Sequence, residues 1–276
     1  MTDVTNMSGP IPDDLAPFIS QVPSEELVIW RYMDFTKFVS LLETQSMFFV
    51  RIAHLDDPFE GSFPVSQAPL DRILGMLPQN VFPDGANITV SLSPGLEDYW
   101  KVMRNWAMVS CWHAVAHESA AMWKLYAPTS VGVAIRSTVG RLRQALGTPS
   151  LPPNGFFGGD RYHIGMIDYI DFSSASISTQ NAAAQFFRKR LSFEHERELR
   201  VLFMQWPVNA DRWLDYTQRP NDHGRSISVD LKVLIGEIRV APQAPAWYSK
   251  LVSKVVARYG IDVKPEQSEL DAEPLY

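Results

Sequence analysis

At 276 residues, with 46% apolar and 12% aromatic side chains, the chain has material for one large domain or two small ones that fold without disulfides, since it holds one cysteine, Cys111. Acidic residues outnumber basic ones 31 to 25, a formal charge of -6, which argues against extended nucleic-acid binding driven by a basic face. No apolar run reaches the roughly 20 residues needed to span a bilayer, and the acidic start "MTDVTNMSGPIPDD" lacks the pattern of a signal peptide, so no membrane partner and a cytoplasmic location are expected.

In chain order, residues 1–24 read as a flexible arm, and 25–276 as a single globular domain. "LVIWRYM" suits a buried strand, "DFTKFVSLLETQ" a helix capped by Asp34, and "SMFFVRI" a second strand. The loop "AHLDDPFEGSFPVS" carries Asp56, Asp57 and Glu60. Its ordinary reading is a turn at Pro58 capped by Asp57, with Glu60 reaching the cleft; the other is a cation or acid-base site. A helix is expected at 69–77, and "EDYWKVMRNWA" predicts another before the strand "MVSCWH". "ESAAMWKLYA" predicts a helix, "VGVAIRST" a strand, "VGRLRQAL" a helix and "HIGMIDYID" a strand. "TQNAAAQFFRKRL" reads as a helix leading into "FEHERELRVLF". A polar excursion at 207–226 precedes a strand "VLIGEIRVAP", a helix 245–260 stopped by Gly260, and a short strand near "IDVKP".

Cys111, His113 and His117 supply thiol and imidazole groups but lack a further ligand at metal-binding spacing, so no metal site is expected, and structural histidines are the simpler reading. Cys111 reads as a buried small hydrophobe rather than a thiolate nucleophile activated by His113. Trp123 and Tyr126 lie three apart on the predicted helix, beside Ser119, and serve either as core or as walls for a flat ligand. In "FEHERELRVLF" an extended chain would put Glu194, Glu196, Glu198 and Arg200 on one side and Phe193, Leu199, Val201 and Phe203 on the other. Like carboxylates held at a strand end are candidates for acid-base or cation-stabilising work; the plain alternative is a solvated charged rim.

The blocks "WRYMDFTKFVSLL", "LDDPFEG", "SCWH", "ESAAMWKLYA", "FEHERELR" and "LIGEIRVAP" resemble a bacterial family of unknown function. Their order is also similar to the ADP-ribosyltransferase superfamily. That resemblance implies an α/β domain of the α+β type, with short, bent, mixed strands and peripheral helices. It implies an NAD-dependent mono-ADP-ribosyltransferase, in a toxin or phage-defence setting. Arg31 would meet the cofactor's ribose or phosphate, Ser110 would orient the ribose, Glu198 would be the catalytic carboxylate and Glu196 its partner. Trp112 and His113 replace the small residues usual there and reshape the nicotinamide pocket, with Trp123 and Tyr126 as further cofactor contacts. Cleaving the glycosidic bond develops positive charge at the ribose, which a carboxylate stabilises. The partner is then a nucleotide-type small molecule, with the acceptor unspecified. Two other function classes stay open: a non-catalytic nucleotide- or protein-binding module, and a metal-dependent hydrolase or nuclease using the acidic loop.

Overall fold

The computed structural model describes residues 23–62, 103–128, 130–147, 162–175, 183–205 and 219–274. Most of the predicted arm, the helix at 69–77, the start of the "EDYWKVMRNWA" helix and much of the 207–226 excursion lie outside them. The chain starts as its sequence predicts: β1 (Val28–Asp34), α1 (Phe35–Thr44), β2 (Ser46–Arg51). Asp34 caps α1, accepting a 2.8 Å hydrogen bond from the Lys37 amide, and α1 buries Phe38, Leu41 and Leu42 on one side.

There follow β3 (Ala107–His113), α2 (Ala120–Tyr126), β4 (Gly132–Thr138), α3 (Val139–Leu146), β5 (Tyr162–Met166), β6 (Asp168–Ile170), β7 (Arg188–Arg190) and β8 (Glu198–Met204). β9 (Gly224–Ser228), the single turn α4 (Leu231–Leu234), β10 (Glu237–Val240), α5 (Ala246–Arg258) and β11 (Glu266–Gln267) complete the described chain. Nine strands form one mixed sheet, and β6 and β7 pair parallel as a separate two-stranded sheet, so the fold is mixed α/β. The turn after α5 closes at Gly260, whose φ of +67° suits glycine at that position.

Four expectations need correction. "HIGMIDYID" splits into β5 and β6, and the strand expected over 233–242 begins only at Glu237, because Asp230 caps a helical turn through the Lys232 and Val233 amides. The helix expected before Leu191 is a 3-10 turn, Ala184–Phe187, followed by β7. The strand expected near 261–265 forms instead at β11.

The central strand is β3. β8 pairs along one whole edge, from Ala107↔Met204 to His113↔Glu198. The other edge is shared: β2 holds Met108 and Val109, and β1 meets it only at Trp30↔His113. Between these contacts β1 and β2 diverge, leaving the backbone from Ser110 to Trp112 without a strand partner on that side among the described residues.

One sheet face carries the largest apolar cluster, including Met33, Met108, Trp112, Leu199 and Val201, beneath α1, α3 and α5. The opposite face carries two clusters, one around Trp30, Tyr32, Met122 and Trp123 and the other around Val109, Phe186, Phe187 and Leu202. Trp123 is 3% exposed and meets Tyr32 edge-on at 5.0 Å. Trp123→Ala therefore lowers the unfolding free energy by about 3 to 5 kcal/mol in chemical denaturation. An unchanged midpoint contradicts that packing.

Candidate active site

Strand alternation divides the polar residues of β3. Ser110 and Trp112 point to the large-cluster face, while Cys111 and His113 point to the other, opposite Arg200 and Glu198 of β8. Those four side chains form a polar seam between the two smaller apolar clusters.

Glu198 opens β8 directly, without an extended lead-in. Residues Leu191–Glu196 form a 3-10 helix, and Arg197 takes a left-handed conformation, φ +40°, whose amide donates to the Glu194 carbonyl at 3.1 Å. This corrects the reading of Glu194, Glu196 and Glu198 as neighbours on one side of a strand. Glu194 is exposed, and Glu196 comes back to Glu198 through a lysine.

That lysine, Lys189, donates at 2.6 Å to Glu196 Oε2 and at 3.2 Å to Glu198 Oε2, and lies 3.6 Å from Glu60. Arg200, fully buried, donates from Nε to Glu198 Oε1 at 2.6 Å, from Nη1 to the Phe186 carbonyl at 2.8 Å, and from Nη2 to Glu60. The Tyr169 hydroxyl accepts the Glu198 amide at 2.7 Å. His113 Nδ1 stands 2.5 Å from the Glu196 carbonyl and must be the donor there, since a carbonyl only accepts.

Burial alone would push the Glu198 carboxyl up. The Arg200 charge, followed by that of Lys189, outweighs it and holds the group down at about 2. Burial and the neighbouring Glu198 push the Cys111 thiol well up, so it is a neutral donor to Glu198 and not an activated nucleophile. Burial pulls His113 below its ordinary value, favouring the neutral ring. Tyr126 is 46% exposed, yet burial around its hydroxyl and the Glu196 charge hold its phenol protonated.

Asp57 accepts the Phe59 amide at 3.0 Å and pairs with Arg190, so it caps the turn at Pro58, while Glu60 reaches the buried cluster. Among the described residues, no three His, Cys, Asp or Glu side chains are grouped so as to hold a metal.

Arg31 stands apart. Its Nη1 donates to Ser110 Oγ and its guanidinium lies 5.7 Å over the Trp112 ring. Among the described residues no carboxylate pairs with it, whereas the buried cations Arg51, Lys189 and Arg200 each have one. Burial lowers its pKa, against the opposing influence of Cys111 and Tyr126. Its remaining N–H groups have no protein partner there, and neither nitrogen is sealed from solvent. Arg31 and Glu198 are not in contact. Register sets their side chains on opposite faces of the sheet: Arg31 pairs with Ile135 and shares the large-cluster face with Ser110, whereas Trp30, His113 and Glu198 lie in line on the other face.

Of the residues singled out by sequence, Arg31, Ser110 and Trp112 form one group, and Glu198, Glu196 and His113 the other. Tyr126 lies within electrostatic reach of both, and Trp123 is buried beneath Tyr32. The sequence reading missed Lys189 and Tyr169, which carry no periodic signal. No family model matches the chain, so the resemblance to a bacterial family of unknown function gains no support there, and no curated protein matches. Among solved structures, a Thermus sp. 2.9 DarT in complex with ADP-ribosylated ssDNA aligns over 90% of this chain and 96% of its own, with 10% identity and a TM-score of 0.37. An overlap that loose bears on neither substrate nor mechanism. No helix among the described residues is long and apolar enough to cross a membrane.

Glu198 gives the site a definite acid response. Because its folded pKa is depressed, its contribution to stability is complete above the ordinary carboxylate value of 4.5 and is lost as pH falls towards 2. Unfolding free energy falls by on the order of 3 kcal/mol across that window, and Glu198→Gln removes this component. Denaturant titrations at pH 5, 4 and 3 check it; a slope identical in wild type and Glu198→Gln contradicts it.

Proposed function

We propose that the chain is an ADP-ribosyltransferase-like enzyme acting on NAD. The observation that carries this reading is Arg31: a half-buried cation resting on Ser110 and Trp112 where β1 and β2 diverge, with no carboxylate to pair it among the described residues. Such a group is satisfied by an anionic ligand, and an arginine fork suits a pyrophosphate.

In this reading Arg31 and Ser110 hold the pyrophosphate and adjoining ribose, and the exposed ring of Tyr126 flanks the base. The bulk of Trp112 lies beneath the Arg31 guanidinium and supports it. The glycosidic bond breaks with its electron pair going to the nicotinamide nitrogen. Ionised Glu198 stabilises the positive charge left on the ribose, and Glu196 takes the proton that the acceptor loses as it bonds to the ribose carbon. A toxin or defence role belongs to the same proposal and rests on block order alone.

A second reading, a nucleotide-binding module without turnover, is favoured by one specific observation: both Glu198 oxygens are already engaged by cations, and the residue is 3% exposed. The two readings part on nicotinamide release from NAD. The enzyme reading expects release by the wild-type chain and a loss of about 10² or more in Glu198→Gln, with thermal melting recorded beside it. Undetectable release with every acceptor class tried leaves the binding module.

A further inference from the structure

Lys189 and Tyr169 are register partners in the small β6–β7 sheet, so their side chains leave it on the same face. Both go to Glu198: the Tyr169 hydroxyl accepts its amide at 2.7 Å, and Lys189 donates to its carboxylate at 3.2 Å. We propose that this pair is the positioning clamp of the site, fixing Glu198 at both ends and bringing Glu196 beside it. The proposal rests on the reading of Glu198 as the reacting carboxylate.

The argument is one of connectivity. Arg200 reaches Glu198 Oε1 along β8 itself, and its other bonds go to Glu60 and the Phe186 carbonyl, so it has no link to Glu196. Lys189 bonds both glutamates, at 2.6 and 3.2 Å. Glu196 sits on a 3-10 helix followed by a left-handed residue, a path that does not by itself fix its side chain beside a strand. The groups facing Lys189 are Glu60, Glu196 and Glu198, with the Phe193 ring 4.8 Å from Nζ and Arg190 over that same ring; among the described residues Arg200, Cys111, Tyr126 and Tyr169 border the cluster. Three carboxylates against two cations leave one formal negative charge, and without Lys189 the buried excess doubles.

A clamp predicts a particular kinetic signature. In Lys189→Met, kcat for nicotinamide release falls by about 10², the scale of a misplaced reacting group, with little change in KM for NAD. The acid limb of the pH profile moves up by about 1 pH unit or more, because Glu198 has lost a neighbouring cation. Lys189→Arg restores part of the rate. Tyr169→Phe keeps every charge and serves if Lys189→Met does not fold; it lowers kcat with KM unchanged. Unchanged or faster turnover in folded Lys189→Met, or an unchanged rate in Tyr169→Phe, overturns the clamp.

Titration of the Glu198 carboxylate by 13C NMR, assigned with Glu198→Gln, separates this proposal from the transferase reading. A midpoint that rises in Lys189→Met while wild type releases no nicotinamide keeps the clamp and removes the transferase. A midpoint that stays put while wild type turns over removes the clamp.

Discussion

The buried ion pair between Glu198 and Arg200 is the constraint around which this half of the molecule is arranged. Arg200 is fully buried on the central part of the sheet, in a seam between two apolar clusters, where a lone guanidinium would be very costly. Its charge is answered by Glu198 along the same strand and by Glu60 from the loop after β2, and its remaining reach ends on the Phe186 carbonyl. One side chain thus ties β8, the 57–61 turn and the segment before β7 together. Removing one member of a buried pair typically costs about 3 to 5 kcal/mol, and here part of that is offset because Arg200 keeps Glu60 and Glu198 keeps Lys189.

The same strand arrangement opens the molecule on its other side. β3 can carry β8 along one edge and share the other between β1 and β2 only if those two diverge, and Arg31 lies at the divergence. The two polar groups therefore differ in character. The Glu198 group is internally neutralised to within one charge, whereas Arg31 has a hydroxyl and an aromatic face for company. An ion-paired carboxylate network on one face of the sheet and, on the other, a cation with no carboxylate partner among the described residues make a polarised arrangement, suited to a ligand with an anionic end and an end that becomes positive.

Much of the framework was legible in the sequence because local signals and burial agreed. Asp34 before an apolar periodic stretch marked α1, and the β-branched and aromatic runs at 28–33, 108–113 and 199–203 marked strands that are buried in the sheet. Asp57 and Glu60 were separable because proline after aspartate specifies a capped turn, which leaves the glutamate free to reach the buried cluster. What misled was alternation carried one step too far: Glu194 to Glu198 alternate in sequence, but the 3-10 helix and the left-handed Arg197 reset the geometry before the strand begins. Lys189 was hidden because "RKR" after an alanine-rich stretch reads as the polar end of a helix. Its role depends on pairing with β6, a contact that no local pattern encodes.

The central claim is that Arg31 is the anchor for a pyrophosphate-bearing ligand. Calorimetric titration of ADP-ribose into the wild-type chain and into Arg31→Met tests it most directly. Because ADP-ribose lacks the nicotinamide, the result is independent of turnover. The account predicts binding that weakens with added salt and a loss of affinity of about 10-fold or more in a folded Arg31→Met, the scale of a charge-assisted hydrogen bond. No binding to wild type, or equal affinity in both proteins, contradicts it.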